Sequence, residues 1–282
     1  MHTSPIAPIL KWMGGKRQLL PEIRKFLPAD FHDLRYYEPF LGGGAVLFSL
    51  QPRNAVVNDY NAALMNVYRV IKDFPNELIL ALKEHKNEKS YYYSIRELDR
   101  NGGLERLDNI QQAARILYLN KTCYNGMFRV NNSGQFNVPF GNYKNPRIVN
   151  EKGIKAISNY FNKNNITLKT GDYRKALSRI GTQSFVYIDP PYYPLSETSS
   201  FTGYIEGGWS KQQQEELKDF CDKLDSKGIR FLLSNSSTAF ITNLYRDYNT
   251  RTVQATRMVN SKVNGRGLVD EVLICNYDIN ML

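Results

Sequence analysis

An acidic residue, two prolines and a tyrosine stand together directly after an apolar run near the middle of the chain. The run, residues 185–188, predicts a buried strand, and Asp189-Pro190-Pro191-Tyr192 follows it. Two consecutive prolines stop both a strand ladder and a helix, because neither has an N–H and each fixes φ. Ligands of open α/β sheets bind at the carboxyl ends of strands. Asp189, the Pro190 carbonyl and the Tyr192 ring can therefore hold a planar base by its exocyclic amino group and its face; the alternative is a proline turn with a surface tyrosine.

A glycine-rich turn, Glu38-Pro39-Phe40-Leu41-Gly42-Gly43-Gly44, predicts a second ligand-binding element. It lies between a predicted strand over 36–40 and a predicted helix over 45–50, so that its glycines let the backbone close on a ligand. Asp59 ends the next predicted strand, where a carboxylate can bind both ribose hydroxyls of an adenosine cofactor. The spacing departs from GxGxxG, which makes a nicotinamide dehydrogenase the weakest alternative.

Lys16 follows two glycines in Lys11-Trp12-Met13-Gly14-Gly15-Lys16-Arg17 and indicates an anion site. The GxxxxGK[ST] phosphate loop is absent. A carboxylate, such as the methionine end of S-adenosylmethionine, suits a single lysine better than a phosphate chain does. The alternative is a basic surface turn before a helix.

Composition points to a polyanionic partner. The 282 residues carry a formal net charge of +10, and 12% of them are aromatic, which favours nucleic acid because rings stack on bases. Three scattered cysteines argue against a disulfide framework or a zinc site. The amino terminus shows no secretory signal pattern, and no apolar run is long enough to span a membrane, so we expect a soluble, cytoplasmic protein.

Strands and helices alternate at both ends of the chain and predict one α/β domain interrupted by a mostly helical insert. The catalytic domain is expected over 1–61 and 147–282, and the insert over 62–146. Turn-forming residues at Asn131-Asn132-Ser133-Gly134 predict a β-hairpin in the insert. Further predicted elements are strands over 55–57, 166–168, 229–233, 252–255 and 269–275, the last as the antiparallel edge, and a helix over 211–227.

These motifs, in this order, resemble the DNA adenine methylase (Dam) family, including its DpnII-type GATC methylases. The resemblance covers nearly the whole chain and extends to Tyr124-Asn125-Gly126-Met127-Phe128-Arg129 and to Phe136-Asn137-Val138-Pro139-Phe140-Gly141-Asn142-Tyr143-Lys144 in the insert. It implies a Rossmann-like, S-adenosylmethionine-dependent methyltransferase sheet with an inserted DNA-recognition domain. The implied reaction is methylation of adenine N6 within GATC in double-stranded DNA, as in restriction-modification systems.

The resemblance also assigns roles to residues of this chain. The implied catalytic residues are Asp189, Pro190 and Tyr192. The implied cofactor-binding residues are Trp12, Lys16, Glu38, Phe40, Gly42, Gly44, Asp59, Asp172, Tyr173 and Asp189, the segment Gly171-Asp172-Tyr173 matching more loosely. The implied DNA-binding residues are Lys11, Tyr124, Asn125, Met127, Arg129, Pro139 and Tyr143. No metal and no membrane are implied, and a working monomer is expected.

The target atom lies inside a duplex, so the adenine must leave the stack. By resemblance, Tyr124 and Asn125 fill the gap and contact the orphaned thymine. Arg129 reads a guanine bidentately, with a phosphate contact on a basic hairpin as the alternative, and Met127 and Pro139 press on a thymine methyl. Lys11 and Tyr143 contact the other outer guanine.

Two positions depart from the family pattern, and two alternative functions stay open. Met127 stands where leucine is common, and Asn142 often corresponds to arginine, so one phosphate or base contact is weakened. The segment Asp189-Pro190-Pro191-Tyr192, called the elbow from here on, would also serve an enzyme acting on RNA or on cytosine N4, and an inactive DNA-binding relative would keep the same fold. Methylation at cytosine carbon 5 needs a nucleophilic cysteine, for which Cys123, Cys221 and Cys275 are poor candidates.

Overall fold

The computed structural model describes residues 6–194, 209–256 and 268–279. The strands are β1 (Arg35–Glu38), β2 (Asn54–Asp59), β3 (Asn165–Thr170), β4 (Ser184–Ile188), β5 (Arg230–Ser236), β6 (Asn249–Thr256) and β7 (Leu268–Cys275). The α-helices are α1 (Leu20–Lys25), α2 (Ala45–Leu50), α3 (Ala62–Asp73), α4 (Pro75–Lys83), α5 (Lys89–Glu97), α6 (Asn109–Thr122), α7 (Glu151–Lys163), α8 (Tyr173–Ala176), α9 (Lys211–Asp225) and α10 (Ala239–Leu244).

The strands form a mixed sheet of seven in the order β3-β2-β1-β4-β5-β7-β6. β1, β4 and β5 are parallel neighbours, with Tyr36 opposite Phe185 and Val186 opposite Phe231. β7 runs antiparallel to both β5 and β6. Because β1, β4 and β5 run in one direction, their carboxyl ends share one edge of the sheet, where ligands of such folds bind.

The last strand differs from its sequence-based prediction. Residues 269–275 are predicted as the antiparallel edge; β7 is antiparallel, but it lies between β5 and β6, and β6 takes the edge. The reason is burial on both faces: residues 272–275 are fully buried, whereas residues 249–252 of β6 are exposed. A continuous apolar run fits an internal strand better than an edge.

The chain divides into two compact units. Unit 1 comprises residues 1–15, 41–53 and 57–172, and unit 2 comprises residues 16–40, 54–56 and 173–282. The domain boundaries given by sequence, 1–61 with 147–282 and 62–146, follow the order of motifs rather than contacts and stay a prediction.

Aromatic residues dominate the interior of unit 1. Phe48 of α2, Tyr68 of α3 and Phe161 of α7 are fully buried, and their ring centroids lie 5.9–6.2 Å apart. Rings at these separations attract one another beyond the burial of apolar area. This cluster ties the helix that follows the glycine turn to two helices distant in sequence.

The core of unit 2 is built on the central strands. Val186 and Ile188 of β4, Phe231 and Leu233 of β5, and Ile274 of β7 belong to one buried cluster. Their side chains are fully buried. The alternating positions place one face of β4, β5 and β7 in this cluster, so the strands that carry the elbow are held rigidly.

A buried charge cluster anchors the predicted hairpin of unit 1. Arg115 of α6 pairs with Asp99 at 2.9 Å, and both side chains are less than 10% exposed. Asp99 accepts a hydrogen bond from the Phe136 N–H at 2.7 Å, and Arg100 donates to the Phe136 carbonyl at 2.7 Å. The arms of the hairpin meet in an isolated antiparallel bridge between Val130 and Phe136. Side chains from outside the hairpin therefore supply hydrogen bonds that a longer ladder would provide.

Breaking this buried pair should destabilise the protein strongly. In Arg115→Leu, the buried Asp99 carboxylate keeps Arg100 as its ionic partner but loses Arg115, and the Ile95 and Arg96 carbonyls lose a donor, so the free energy of unfolding should fall by about 3 kcal/mol. Chemical denaturation measures this difference. Arg230→Leu breaks the more exposed Asp30–Arg230 pair, whose closest N–O distance is 2.6 Å, and should cost about 1 kcal/mol or less. Equal losses in the two variants would contradict a structural role for the buried pair.

Candidate active site

The proline elbow lies at the carboxyl edge of the unit 2 strands. Asp189 follows β4 directly, Glu38 ends β1, and Ser234 lies near the end of β5. Because these three strands are parallel, their last residues meet at this edge. The buried Glu38 carboxylate accepts a hydrogen bond from the Tyr36 hydroxyl at 2.7 Å.

The Asp189 carboxylate is held by two donors on the same oxygen. The Lys16 ammonium lies 2.9 Å from Oδ1, and the Ser234 hydroxyl donates to Oδ1 at 2.9 Å. Tyr187 extends the chain of contacts to Ser234 at 3.2 Å. Burial raises the pKa of Asp189, while Lys16 and Ser234 oppose that rise by favouring the ionised form. The carboxylate is thus fixed in place as an acceptor.

The Tyr192 ring is fixed from two directions. Its hydroxyl donates to the Glu271 carboxylate at 2.6 Å. The Lys16 ammonium lies 4.5 Å from the ring centroid, over its face, in the geometry of a cation–π contact. Lys16 therefore contacts both chemical groups of the elbow, the carboxylate and the ring. The predicted role of Lys16 in binding a cofactor carboxylate is not tested by these contacts.

An aromatic cluster lies near the same edge of unit 2. The Phe40 ring centroid is 5.2 Å from that of Tyr173 and 5.4 Å from that of Trp209. Tyr173 and Trp209 are buried, and Phe40 is half-buried. Phe40 and Tyr173 are both predicted cofactor residues, and the structure brings them into contact. Trp209 has no sequence signal of its own.

The glycine turn and Asp59 form a second set of contacts, within unit 1. The Gly42 N–H donates to Asp59 Oδ2 at 2.8 Å, and the Asn61 N–H donates to Asp59 Oδ1 at 2.9 Å. Burial raises the pKa of Asp59, and these backbone bonds oppose the rise. Gly44 has φ +69°, and a Cβ there would lie 2.6 Å from the Phe48 ring, so glycine is required at this position.

Asp172 follows β3, whose carboxyl end lies beside Asp59. The preceding residue, Gly171, donates its N–H to the Asp59 carbonyl at 3.0 Å and accepts from the Asn58 amide at 2.9 Å. The carboxyl ends of β2 and β3 are therefore joined directly. Asp59 and Asp172 are both half-buried residues.

Trp12 connects the glycine turn with residues 124–129 of unit 1, called the recognition segment from here on. Its side chain lies beside the turn, since a Cβ at Gly42 would lie 3.0 Å from the indole. On the other side it stacks on Phe128, with ring centroids 4.8 Å apart. Phe128 lies between Met127 and Arg129, two predicted DNA-binding residues. The predicted cofactor and DNA segments of unit 1 are therefore in contact through Trp12.

One buried amide aligns Lys11 with the recognition segment. The Asn120 side chain accepts from the Lys11 N–H at 3.0 Å and donates to the Lys11 carbonyl at 2.8 Å. It also donates to the Gly126 carbonyl at 3.0 Å. Lys11 itself is exposed. Asn120 thus fixes the backbone of a predicted base-reading lysine against the short helical turn Tyr124–Gly126.

The remaining predicted DNA-binding residues lie on the surface of unit 1. The Tyr124 side chain is 53% exposed, although its N–H donates to the Pro139 carbonyl at 2.8 Å. Asn125 is exposed and has φ +56°, a conformation that asparagine tolerates. The structure brings Tyr124, Asn125 and Pro139 together. Tyr143 is 40% exposed, and its carbonyl accepts from Asn87.

Arg129 is oriented by a neutral partner. Its Nε donates to the Asn137 side-chain oxygen at 2.7 Å, and one terminal nitrogen lies 3.4 Å from the Asn137 carbonyl. Because asparagine is uncharged, the guanidinium keeps its full positive charge for an anionic or guanine partner. Arg129 is exposed, which suits a residue that contacts a partner.

The cysteines and possible metal ligands give no alternative chemistry in the described residues. Burial raises the pKa of Cys123 to about 12 and that of Cys275 to about 11, and it raises the pKa of Cys221 as well. These thiols are protonated at neutral pH and are poor nucleophiles. Over 6–194, 209–256 and 268–279, no group of His, Cys, Asp and Glu side chains has the arrangement of a metal site, and no helix is long and apolar enough to cross a membrane.

Several site residues are missed by sequence reasoning. Ser234 and Asn235 had a usable signal, because polar residues directly after an apolar run at 229–233 mark the carboxyl end of a strand. Glu271 had none, since its place beside Tyr192 depends on the internal position of β7. Gln214 had no signal either, because it is one of three consecutive glutamines in a polar helix. Its side chain contacts the elbow at Pro191.

Known proteins of one kind match nearly the whole length of this chain. The model of a family described as D12 class N6 adenine-specific DNA methyltransferase matches residues 12–259. Type II methyltransferase M1.LlaDCHI of Lactococcus lactis subsp. cremoris is 45% identical over 96% of both chains. Type II methyltransferase M.MjaIII of Methanocaldococcus jannaschii is 40% identical over 96% of this chain and 99% of its own. A DNA adenine methylase of Vibrio cholerae is 33% identical over 94% of each.

Similarity to solved structures is weak. Precorrin 8W decarboxylase of Methanobacterium thermoautotrophicum gives a TM-score of 0.38 at 13% identity, over 93% of this chain and 90% of its own.

Removing the Lys16 charge should raise the pKa of Asp189 further. The ammonium favours the ionised carboxylate, so in Lys16→Met the carboxyl should titrate at higher pH than in the wild type. Carbon-13 NMR of the aspartate carboxyl groups measures the shift. Lys218→Met removes another ammonium of unit 2, paired with Asp222 at 2.7 Å, and should leave the Asp189 titration unchanged. An unchanged or lower pKa in Lys16→Met would show that the ion pair does not set the ionisation of Asp189.

Proposed function

Because the chain belongs to the D12 class of N6 adenine-specific DNA methyltransferases, we propose that it transfers a methyl group from S-adenosylmethionine to adenine N6 within GATC in double-stranded DNA. Membership of this family makes it an adenine-specific DNA methyltransferase. The methyl donor, the target sequence, extrusion of the base and action as a monomer are the proposal. The observation that carries it is the Asp189 carboxylate, fixed at the proline elbow beside the Tyr192 ring.

The donor set around Asp59 fits an adenosine cofactor. Each Asp59 oxygen accepts one backbone N–H, and a carboxylate oxygen has a second lone pair that can accept a ribose hydroxyl. We propose that the cofactor is also bound by the aromatic residues near the elbow and by the basic amino-terminal motif. The full proposed set is Trp12, Lys16, Glu38, Phe40, Gly42, Gly44, Asp59, Asp172, Tyr173 and Asp189.

The elbow would activate the adenine amino group by hydrogen bonding. Adenine N6 is a weak nucleophile, because its lone pair is delocalised into the ring. Asp189 and the Pro190 carbonyl would each accept one amino hydrogen, which moves electron density onto nitrogen and directs its lone pair out of the ring plane. S-adenosylmethionine, when bound, would supply an electrophilic methyl group for direct in-line transfer: the N6–carbon bond forms as the sulfur–carbon bond breaks, its electrons stay on sulfur as a neutral thioether, and the methylated nitrogen releases one proton to solvent. Fixed acceptors of this kind need no reorganisation during the reaction, which is worth several kcal/mol of barrier.

Tyr192 would bind the face of the extruded adenine. Its hydroxyl bond to Glu271 fixes the ring, so stacking would cost little side-chain entropy. Base–aromatic stacking contributes about 1–3 kcal/mol, which offsets part of the cost of extruding the base from a duplex. The exposed Tyr124 and Asn125 are proposed to occupy the space that the base leaves.

Sequence reading is proposed for the remaining predicted DNA-binding residues of unit 1, which are exposed except for the half-buried Met127. Arg129 would contact a guanine, and Lys11 and Tyr143 would contact the other outer guanine. Met127 and Pro139 would contact a thymine methyl group. The support is that Asn120 and Asn137 fix the positions of Lys11 and Arg129 through hydrogen bonds, since rigid readers lose less entropy on binding.

Methylation of plasmid DNA tests the proposed reaction and its target together. Unmethylated plasmid incubated with the protein and S-adenosylmethionine should resist a nuclease that is blocked by adenine methylation in GATC. Asp189→Ala removes one acceptor of the amino group and should lower the rate by about 100-fold or more, leaving the plasmid fully cut. Mass spectrometry of the digested nucleosides should show N6-methyladenine. Methylation of cytosine, or of RNA alone, would overturn the proposal.

Substitution of Arg129 tests base reading separately. Loss of a bidentate guanine contact should lower methylation of GATC duplexes by about 10–100-fold, equivalent to about 1–3 kcal/mol. Affinity for random duplex should fall only as much as in Arg106→Ala, which removes the same charge from another exposed position of unit 1. Filter binding and initial rates measure the two quantities. Equal losses on specific and random DNA would make Arg129 a phosphate contact.

A further inference from the structure

The backbone of the elbow is held by buried polar side chains that the proposed chemistry does not use. The Gln214 amide donates to the Pro191 carbonyl at 2.9 Å, and the Asn235 amide donates to the Gln214 oxygen at 3.0 Å. Asn235 Oδ1 in turn accepts from the Tyr193 N–H at 3.2 Å and from the Ser236 N–H at 2.8 Å. The Ser236 hydroxyl donates to the Tyr193 carbonyl at 2.8 Å. These bonds form one continuous chain from α9 through β5 to the elbow.

The elbow needs such outside partners because its prolines cannot donate. Pro190 and Pro191 have no N–H, so the Asp189–Pro190 and Pro190–Pro191 peptide planes have no donor to place in a backbone ladder. Gln214 occupies the Pro191 carbonyl. In the described part of the chain, no hydrogen bond to the Pro190 carbonyl is present. Among the described residues, the Pro191 carbonyl is therefore engaged by a side chain, and the Pro190 carbonyl is not.

The position of Gln214 is set by the start of its helix. Ser210 caps α9, and its side chain and that of Gln213 form a reciprocal capping box. Such a box fixes the first turn of a helix and directs the next residue, Gln214, inward. Gln214 and Asn235 are both fully buried. A buried amide without partners is costly, so the pair is stable only in the arrangement that also engages Pro191.

We propose that Gln214 and Asn235 are positioning residues for catalysis: together they hold the Pro191–Tyr193 backbone so that the Pro190 carbonyl, and not that of Pro191, receives the amino hydrogen of the target base. The inference rests on the proposed function. The direction of the Gln214 amide is essential, since a reversed amide would bring its oxygen against the Pro191 carbonyl oxygen and its NH2 against that of Asn235. Asn235 prevents the reversal by donating to the Gln214 oxygen.

Two substitutions of Gln214 test the inference by their different responses to pH. Gln214→Met keeps the side-chain length but removes both hydrogen bonds, so single-turnover methyl transfer should slow by about 10–100-fold at every pH, as expected for a misplaced reacting group. Gln214→Glu is isosteric. Its neutral carboxyl can donate to Pro191 and accept from Asn235, whereas its carboxylate can only accept. Its rate relative to wild type should therefore be close to one at acidic pH and fall as the pH rises.

A matched control separates this effect from a general effect of charge. Gln213→Glu makes the same change one residue earlier, and glutamate is equally suited to the capping box, so its rate relative to wild type should not depend on pH. Affinities for S-adenosylmethionine and for duplex should be unchanged in all three variants. Thermal unfolding checks that each variant is folded; if Gln214→Met is not, the isosteric Gln214→Glu decides alone.

Each outcome has a definite meaning. A wild-type rate in Gln214→Met, or a loss in Gln214→Glu that is the same at every pH, would overturn the positioning role and leave the proposed function intact. A wild-type protein that transfers no methyl group to DNA would remove the proposed function, and the inference with it. A pH-dependent loss confined to Gln214→Glu supports the inference.

Discussion

The Asp189 carboxylate is largely withdrawn from water, its side chain being 19% exposed, and the surrounding structure compensates for that withdrawal. An isolated buried carboxylate would protonate and lose its value as an acceptor. Lys16 and Ser234 favour the charged form through two short contacts with one oxygen. Lys16 is itself only 6% exposed, so neither charge could be buried without the other. The pair is stable because β4 and β5 are parallel neighbours, which places Ser234 beside the end of β4.

β7, which runs antiparallel to β5, also contributes to the edge of the sheet where β4 and β5 end. β7 pairs with β5 so that Glu271 lies opposite Ser236 at the carboxyl end of β5. Only an internal position of β7 brings the Glu271 carboxylate to the Tyr192 hydroxyl. An edge position would exchange β7 for β6, whose described residues are largely exposed. Strand order therefore determines how the aromatic ring of the elbow is held.

Sequence predicts the parts of this site that are contiguous in the chain. The family and the α/β methyltransferase fold are confirmed, and the elbow, the glycine turn and Asp59 follow strands as their patterns predict. Glu271 and Trp209 lie far along the chain from their partners, and only tertiary packing brings them there. The predicted position of β7 was wrong. An apolar run predicts a strand, but it does not tell whether that strand is internal or at an edge, because this depends on its neighbours.

Buried and exposed cationic residues of unit 1 are held by different chemistry, and the difference follows from where each one lies. In the interior of unit 1, arginine is paired with a carboxylate, as Arg115 is with Asp99, because a buried charge needs an opposite one. At the surface, Arg129 is oriented by the amide of Asn137, and the Lys11 backbone by that of Asn120. An amide orients a cationic residue without neutralising it. The proposed readers thus keep the charge that attracts a phosphate backbone while their geometry is set before DNA binds.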